Sequence, residues 1–200
     1  MLRLNLEGIV PEHIMDLLRL IDPSIDSALS KSASIHARLL SYQGAALYIL
    51  AGQYDRLGAT MLDIGTASGY SASLMAWAAP GAGITTLNSA RHEIPEATFN
   101  LGRFRNVEIM CIASWDYLEV YGGAGFDLVF VDSDHKHIAR DMPFWNLVKP
   151  GGLMLFHDYS RLACPPVFNA VNGLAEVLGR SPDVVVVDTD DIGMAGFYKE

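Results

Sequence analysis

The stretch Met61-Leu62-Asp63-Ile64-Gly65-Thr66-Ala67-Ser68-Gly69-Tyr70-Ser71 passes from a short apolar run, through two glycines, into a helical pattern. A run of this length with no alternation suits a strand buried on both faces, which belongs in a parallel sheet covered by helices. Gly65 and Gly69 let the backbone turn tightly and approach a ligand with no Cβ in the way. The helix that follows offers unpaired N–H groups to an anion such as a carboxylate. The G-x-x-x-G spacing is neither the dinucleotide pattern G-x-G-x-x-G nor the P-loop G-x-x-x-x-G-K. It suits a nucleoside carrying a carboxylate better than a pyrophosphate, with an ordinary glycine turn as the alternative.

The same texture repeats downstream. Apolar runs at Ile84–Leu87, Val107–Ile112, Phe126–Val131 and Leu153–Phe156 alternate with helical patterns near Tyr70–Ala79, Ile94–Gly102, Ala139–Leu147 and Val167–Leu178. Helices between such strands impose right-handed crossovers and a parallel sheet. At the tail, Val184–Val187 and Met194–Tyr198 flank only the short turn Asp188–Gly193, which is hairpin spacing and makes one strand antiparallel. Upstream, Pro11–Leu20 carries Ile14, Leu17 and Leu18 at helical spacing and stops at Asp22-Pro23, and a second helix is expected from about Ser34 to Leu50. The expected fold is α/β, Rossmann-like and doubly wound, with a seven-stranded, mostly parallel sheet and one antiparallel C-terminal strand. It forms one domain, 1–200, with a helical preface over 1–56 and the α/β core over 57–200. Gly122-Gly123-Ala124-Gly125 reads as the loop feeding Phe126, Trp77 and Trp145 as core, and Cys111 as a buried small hydrophobe.

Composition narrows the function classes. The chain has 200 residues, half of them hydrophobic, and its 14 basic against 23 acidic residues leave a net charge of −9. A sequence-independent grip on nucleic acid needs clustered Lys and Arg, so no nucleic-acid partner is expected. Two cysteines cannot form a disulfide framework. No apolar run reaches the roughly 18 residues of a membrane span, and the first residues lack the apolar core of a signal peptide. A cytoplasmic protein with no membrane partner is the expectation.

In an open parallel sheet, ligands bind beyond the carboxyl ends of the strands where strand order reverses. Here those ends are polar: Val131-Asp132-Ser133-Asp134-His135-Lys136-His137 after one run and Phe156-His157-Asp158-Tyr159 after the next. Acidic groups on neighbouring strand ends can share a divalent cation, and a nearby imidazole can take a proton from a hydroxyl. Capping of the following helix is the structural alternative for Asp134. A zinc site built from His135, His137, His157 and an Asp is the other reading, but the missing thiolates and the oxygen-rich set favour a hard cation.

These residues resemble the class I S-adenosylmethionine-dependent methyltransferases, and among them the small O-methyltransferases of the catechol, caffeoyl-coenzyme A and macrolide-sugar types. The similarity covers about Gln43 to Asp158. It is most specific at Asp63–Ser71 and at Phe126-Asp127-Leu128-Val129-Phe130-Val131-Asp132, and Lys149-Pro150-Gly151-Gly152, read as a helix-to-strand turn, is a further hallmark. The resemblance implies that Asp63, Gly65, Thr66, Ala67, Gly69 and Tyr70 form the cofactor loop and that Ser71 holds the methionine carboxylate. It places Ala113, Ser114 and Trp115 around the adenine. Asp132 bounds the cofactor site and, with His157 and Asp158, forms a metal site for an ion such as Mg²⁺. His135, three residues after Asp132, takes the place of the general base. Two positions depart from the pattern. Asn88 stands where the family has an acid on the ribose hydroxyls; it can accept one such bond and donate another. Tyr159 replaces the asparagine that follows the second aspartate in the catechol type, leaving His157 as substitute. Tyr42-Gln43-Gly44 either lines the cofactor site or caps a helix.

The implied activity is methyl transfer from S-adenosylmethionine to a hydroxyl of a small molecule, in an enzyme with few covering loops and so expected to be a homodimer. A non-catalytic protein of the same fold that binds S-adenosylmethionine or its demethylated product is the alternative. A nicotinamide-dependent enzyme is opposed by the glycine spacing.

Overall fold

A computed structural model describes residues 1–36 and 39–200 of the chain. The apolar runs form β2 (Thr60–Ile64), β3 (Gly83–Leu87), β4 (Val107–Met110), β5 (Phe126–Val131) and β6 (Val148–Phe156), all parallel. The tail forms β7 (Val184–Asp188) and β8 (Gly193–Tyr198), and β8 is antiparallel to both β6 and β7. Every residue of β5 is buried, as a non-alternating apolar strand covered on both faces should be.

The sheet has eight strands rather than seven, because β1 (Leu4–Ile9) adds a parallel edge beside β7. The order is β1-β7-β8-β6-β5-β2-β3-β4. Strand order therefore reverses between β2 and β5, and a crevice opens beyond their carboxyl ends.

Helices α1 (Pro11–Ile21), α2 (Ile25–Ser32) and α3 (Ser41–Gly52) follow one another between β1 and β2, and α4 (Tyr70–Ala78) and α5 (Ile94–Leu101) alternate with β2, β3 and β4. α6 (Ser114–Val120) and α7 (Pro165–Leu178) complete the set. The helix expected from Ser34 begins only at Ser41, where the Gln43 side chain accepts the Leu40 N–H at 2.7 Å and closes the first turn. Part of that expected helix, residues 37 and 38, lies outside the described residues. α3 and α4 are apolar nearly all round, as helices enclosed on every side must be, and they pack on each other. The helical pattern expected over Ala139–Leu147 is two 3₁₀ turns, His135–Arg140 and Met142–Leu147, divided at Asp141 with Pro143 opening the second. Gly151 and Gly152 lie inside β6 rather than in a turn before it; Gly151 has φ +76° at an irregularity in the β5–β6 register. Cys111 is exposed rather than buried, because it follows the edge strand β4. Among the described residues no helix is long and apolar enough to cross a membrane.

Candidate active site

β2 ends in Asp63-Ile64-Gly65. Asp63 is 0% exposed, and its Oδ2 accepts from Thr86 Oγ1 at 2.6 Å and Ser71 Oγ at 3.1 Å. Burial pushes its carboxyl up to about 7 against the two hydroxyl bonds, which favour the charged form. Thr86 gives its one proton to Asp63, so Thr66 must donate to Thr86 across their 2.6 Å contact. Gly65 has φ +116°, and a Cβ there would lie 1.9 Å from the Asp132 carbonyl oxygen. The glycine loop therefore runs directly against the end of β5.

Beyond β3, Asn88 donates Nδ2 to Glu93 Oε2 at 2.9 Å and accepts the Ala90 N–H at 3.1 Å. Beyond β4, Ala113 leads into α6 with Ser114 and Trp115. Trp115 is 39% exposed, with the Arg140 guanidinium 4.6 Å from its ring centre. Asp141 is buried and accepts from the hydroxyls of both Ser114 and Ser133, tying the end of β4 to the end of β5.

The ends of β5 and β6 bring two carboxylates and two imidazoles together. His157 Nδ1 is 3.1 Å from both Asp132 Oδ1 and Asp158 Oδ2, and His135 Nε2 is 2.8 Å from Asp158 Oδ2 and 3.8 Å from Asp132 Oδ1. Asp158 has φ +54°, a left-handed conformation that costs an aspartate little and places its carboxylate in this group. Bonds from both carboxylates hold His135 up at about 10. Burial alone would lower His157, but the same two carboxylates outweigh it and raise it to about 9. Asp132 and Asp158 are lowered: burial opposes this, and the imidazole bonds prevail.

A cavity of about 400 Å³ lies over these strand ends. Gly65, Ala67, Asn88, Ala113, Ser114 and Trp115 line one part of it, and Asp132, His135, His157 and Asp158 the other. Asp63, Thr66, Gly69, Tyr70 and Ser71 do not line it. The Ser71 hydroxyl is committed to Asp63. The donor set fits a divalent cation, since ligand atoms of Asp132, His135 and Asp158 all lie within 4.8 Å of one another. Asp134 and His137 pair with each other at 2.7 Å, and Asp134 caps the following turn by accepting the Lys136 N–H. Glu93 and Asp141 also line the cavity, yet they lie in a loop and between two 3₁₀ turns, where no periodicity marks them.

Residues 62–159 match a family model described as a methyltransferase domain. The chain is 32% identical over 199 residues to a catechol O-methyltransferase from Mycobacterium tuberculosis, covering 88% of this chain and 86% of the relative. Among solved structures, a methyltransferase from Podospora anserina bound to SAH superposes with a TM-score of 0.72 at 18% identity, covering 98% of this chain and all of the other. The O-methyltransferase TomG from Streptomyces achromogenes, in complex with SAM, gives 0.64 at 21% identity over 90% and 91% of the two chains. At these identities the structural likeness speaks for the fold, and the sequence relationship carries the lineage. The chain belongs to the S-adenosylmethionine-dependent O-methyltransferases.

Proposed function

We propose that this enzyme transfers the methyl group of S-adenosylmethionine to a hydroxyl of a small molecule, with a divalent cation held by Asp132, His157 and Asp158 and with His135 as the proton acceptor. The observation that carries the reading is the convergence of two carboxylates and two imidazoles in the same cavity as the glycine loop. Methyl transfer by in-line attack on a sulfonium needs mainly alignment and a deprotonated oxygen. The cavity supplies alignment: Gly65 permits close backbone approach, Trp115 offers an apolar wall to the adenine, and Asn88 with Glu93 presents donors and acceptors for the ribose. A bound dication lowers the pKa of an acceptor hydroxyl and holds its oxygen in place.

The electrostatics of His135 set a condition on this role. Two facing carboxylates keep its imidazole protonated to about pH 10, and a protonated imidazole accepts nothing. Its use as a base therefore requires their charge to be offset, which a cation on Asp132 and Asp158 does. The connections after β6 and β7, residues 160–166 and 188–193, are short and leave little chain to cover an acceptor, which favours a small substrate and a second copy of the chain as the remaining wall. The net charge of −9 favours a neutral or cationic acceptor over a nucleic acid. The test is transfer of a labelled methyl group to a panel of phenols, sugars and hydroxylated metabolites by wild type, Asp132→Ala and His135→Ala. Each variant should lose about 10²–10⁴-fold in turnover, and unchanged turnover would remove the assigned role.

A further inference from the structure

Gln43, on α3, is buried, and its contacts settle which nitrogen of His157 keeps its proton when the imidazole is neutral. Gln43 Oε1 accepts the Leu40 N–H at 2.7 Å, which fixes the amide orientation, because a flip would set two N–H groups against each other. The same oxygen lies 3.1 Å from His157 Nε2, which can therefore only donate. In the neutral ring the lone pair is then on Nδ1, the nitrogen 3.1 Å from both Asp132 Oδ1 and Asp158 Oδ2, and a cation there takes the place of the Nδ1 proton. A hydrogen-bond acceptor on the far nitrogen of a ligating histidine fixes the tautomer and raises the basicity of the near one.

The other side-chain oxygens next to Asp132 and Asp158 in the sequence are engaged elsewhere. Asp134 pairs with His137, the Ser133 hydroxyl donates to Asp141, and the Tyr159 hydroxyl accepts from Asn172 Nδ2 at 3.3 Å while its ring stacks on Phe168. Two carboxylates and the Nδ1 of His157 are left. His135 Nε2, 2.8 Å from Asp158 Oδ2, stands beside this group as the proton acceptor and brings no further oxygen to it. Magnesium prefers an octahedron of oxygens and several retained waters, whereas imidazole suits zinc and its transition-metal neighbours. This donor set does not match an oxygen-only magnesium site.

We infer that the site takes a first-row transition dication of the zinc and cobalt kind in preference to Mg²⁺, and that Gln43 is the positioning residue that makes His157 a ligand. The inference rests on the reading that Asp132 and Asp158 hold a cation. It is tested on the whole chain, stripped with a chelator, by titrating Co²⁺ and following its visible absorption. One equivalent should develop the spectrum, one equivalent of Zn²⁺ should abolish it, and about a 1,000-fold excess of Mg²⁺ should leave it in place. Displacement of Co²⁺ by equimolar Mg²⁺ would overturn the selectivity and leave the cation reading standing. Failure of both ions to bind would overturn the two together. His157→Asp should shift the Co²⁺ to Mg²⁺ competition toward Mg²⁺ by at least about 10-fold. The competition is a ratio taken in one sample, so partial unfolding does not move it, and an unchanged ratio would remove His157 from the ligand set. Gln43→Ala should weaken Co²⁺ about 10–100-fold, and Gln43→Glu, which keeps the acceptor oxygen, should restore most of that loss. Equal Co²⁺ affinity in all three would overturn the role of Gln43.

Discussion

The side-chain amide of Asn88 donates to Glu93 Oε2 at 2.9 Å, so the two residues form one polar unit on the β3 side of the cavity. An aspartate at position 88 would set a carboxylate against that oxygen and replace a hydrogen bond by like-charge repulsion. Asn88→Asp is therefore expected to weaken S-adenosylmethionine binding, by about 3–10-fold for a loss on the order of 1 kcal/mol. Adding Glu93→Gln should recover the loss. Calorimetry on the two single variants and the double variant measures the coupling, and tighter binding by Asn88→Asp alone would contradict it.

The cluster of Asp132, His135, His157 and Asp158 makes the cation-free protein sensitive to alkali. Both imidazoles titrate higher in the folded state, at about 10 and about 9, than the ordinary 6.5. Their contribution to stability is complete below about pH 6.5 and is lost as pH rises through 9 and 10. Asp63, raised to about 7, acts in a separate window: the unfolded chain releases its proton near 4 and the folded chain near 7, so that loss is complete before the histidine window closes. Thermal melting of the stripped protein should fall by several degrees between pH 7 and 9.5, and a bound dication should flatten the fall. A profile that stays level without a cation would contradict the assigned partners.

Gly65 and Gly151 both have positive φ, at +116° and +76°, but a Cβ at Gly65 would meet the Asp132 carbonyl oxygen at 1.9 Å while one at Gly151 meets nothing within 4 Å. Gly151→Ala should cost only the backbone penalty, about 1 kcal/mol. Gly65→Ala should cost at least about 2 kcal/mol and abolish cofactor binding by forcing the loop off β5. Urea midpoints read the difference, and equal costs would show that the loop relaxes freely.

β2, β3, β5 and β6 were legible because enclosed strands of a parallel sheet have a simple signature, an apolar run ending in polar residues, and the edge strand β4 was legible from its apolar run at the same spacing. β1 was not read, although Leu4 and Leu6 alternate with Asn5 and Glu7, because a six-residue edge strand buries only part of one face. α2 escaped notice because its buried stripe includes Ala28 and Ser32, side chains too small or polar to mark a face. In the site, residues at strand ends were readable by position, and Asp132, His135, His157 and Asp158 do meet. Glu93, Asp141 and the bond that His157 donates to Gln43 depend on how distant segments fold back, and Gln43 lies 114 residues from its partner.

The central claim is hydroxyl methylation assisted by a cation at Asp132 and Asp158. The measurement that tests it most directly is transfer of labelled methyl from S-adenosylmethionine to a hydroxyl acceptor by the wild-type chain before chelation, after it, and after restoring a dication. The account predicts an O-methylated product, loss of turnover on chelation and recovery with about one equivalent of metal. Full turnover in the chelated protein, with Asp132→Ala equally active, would contradict it.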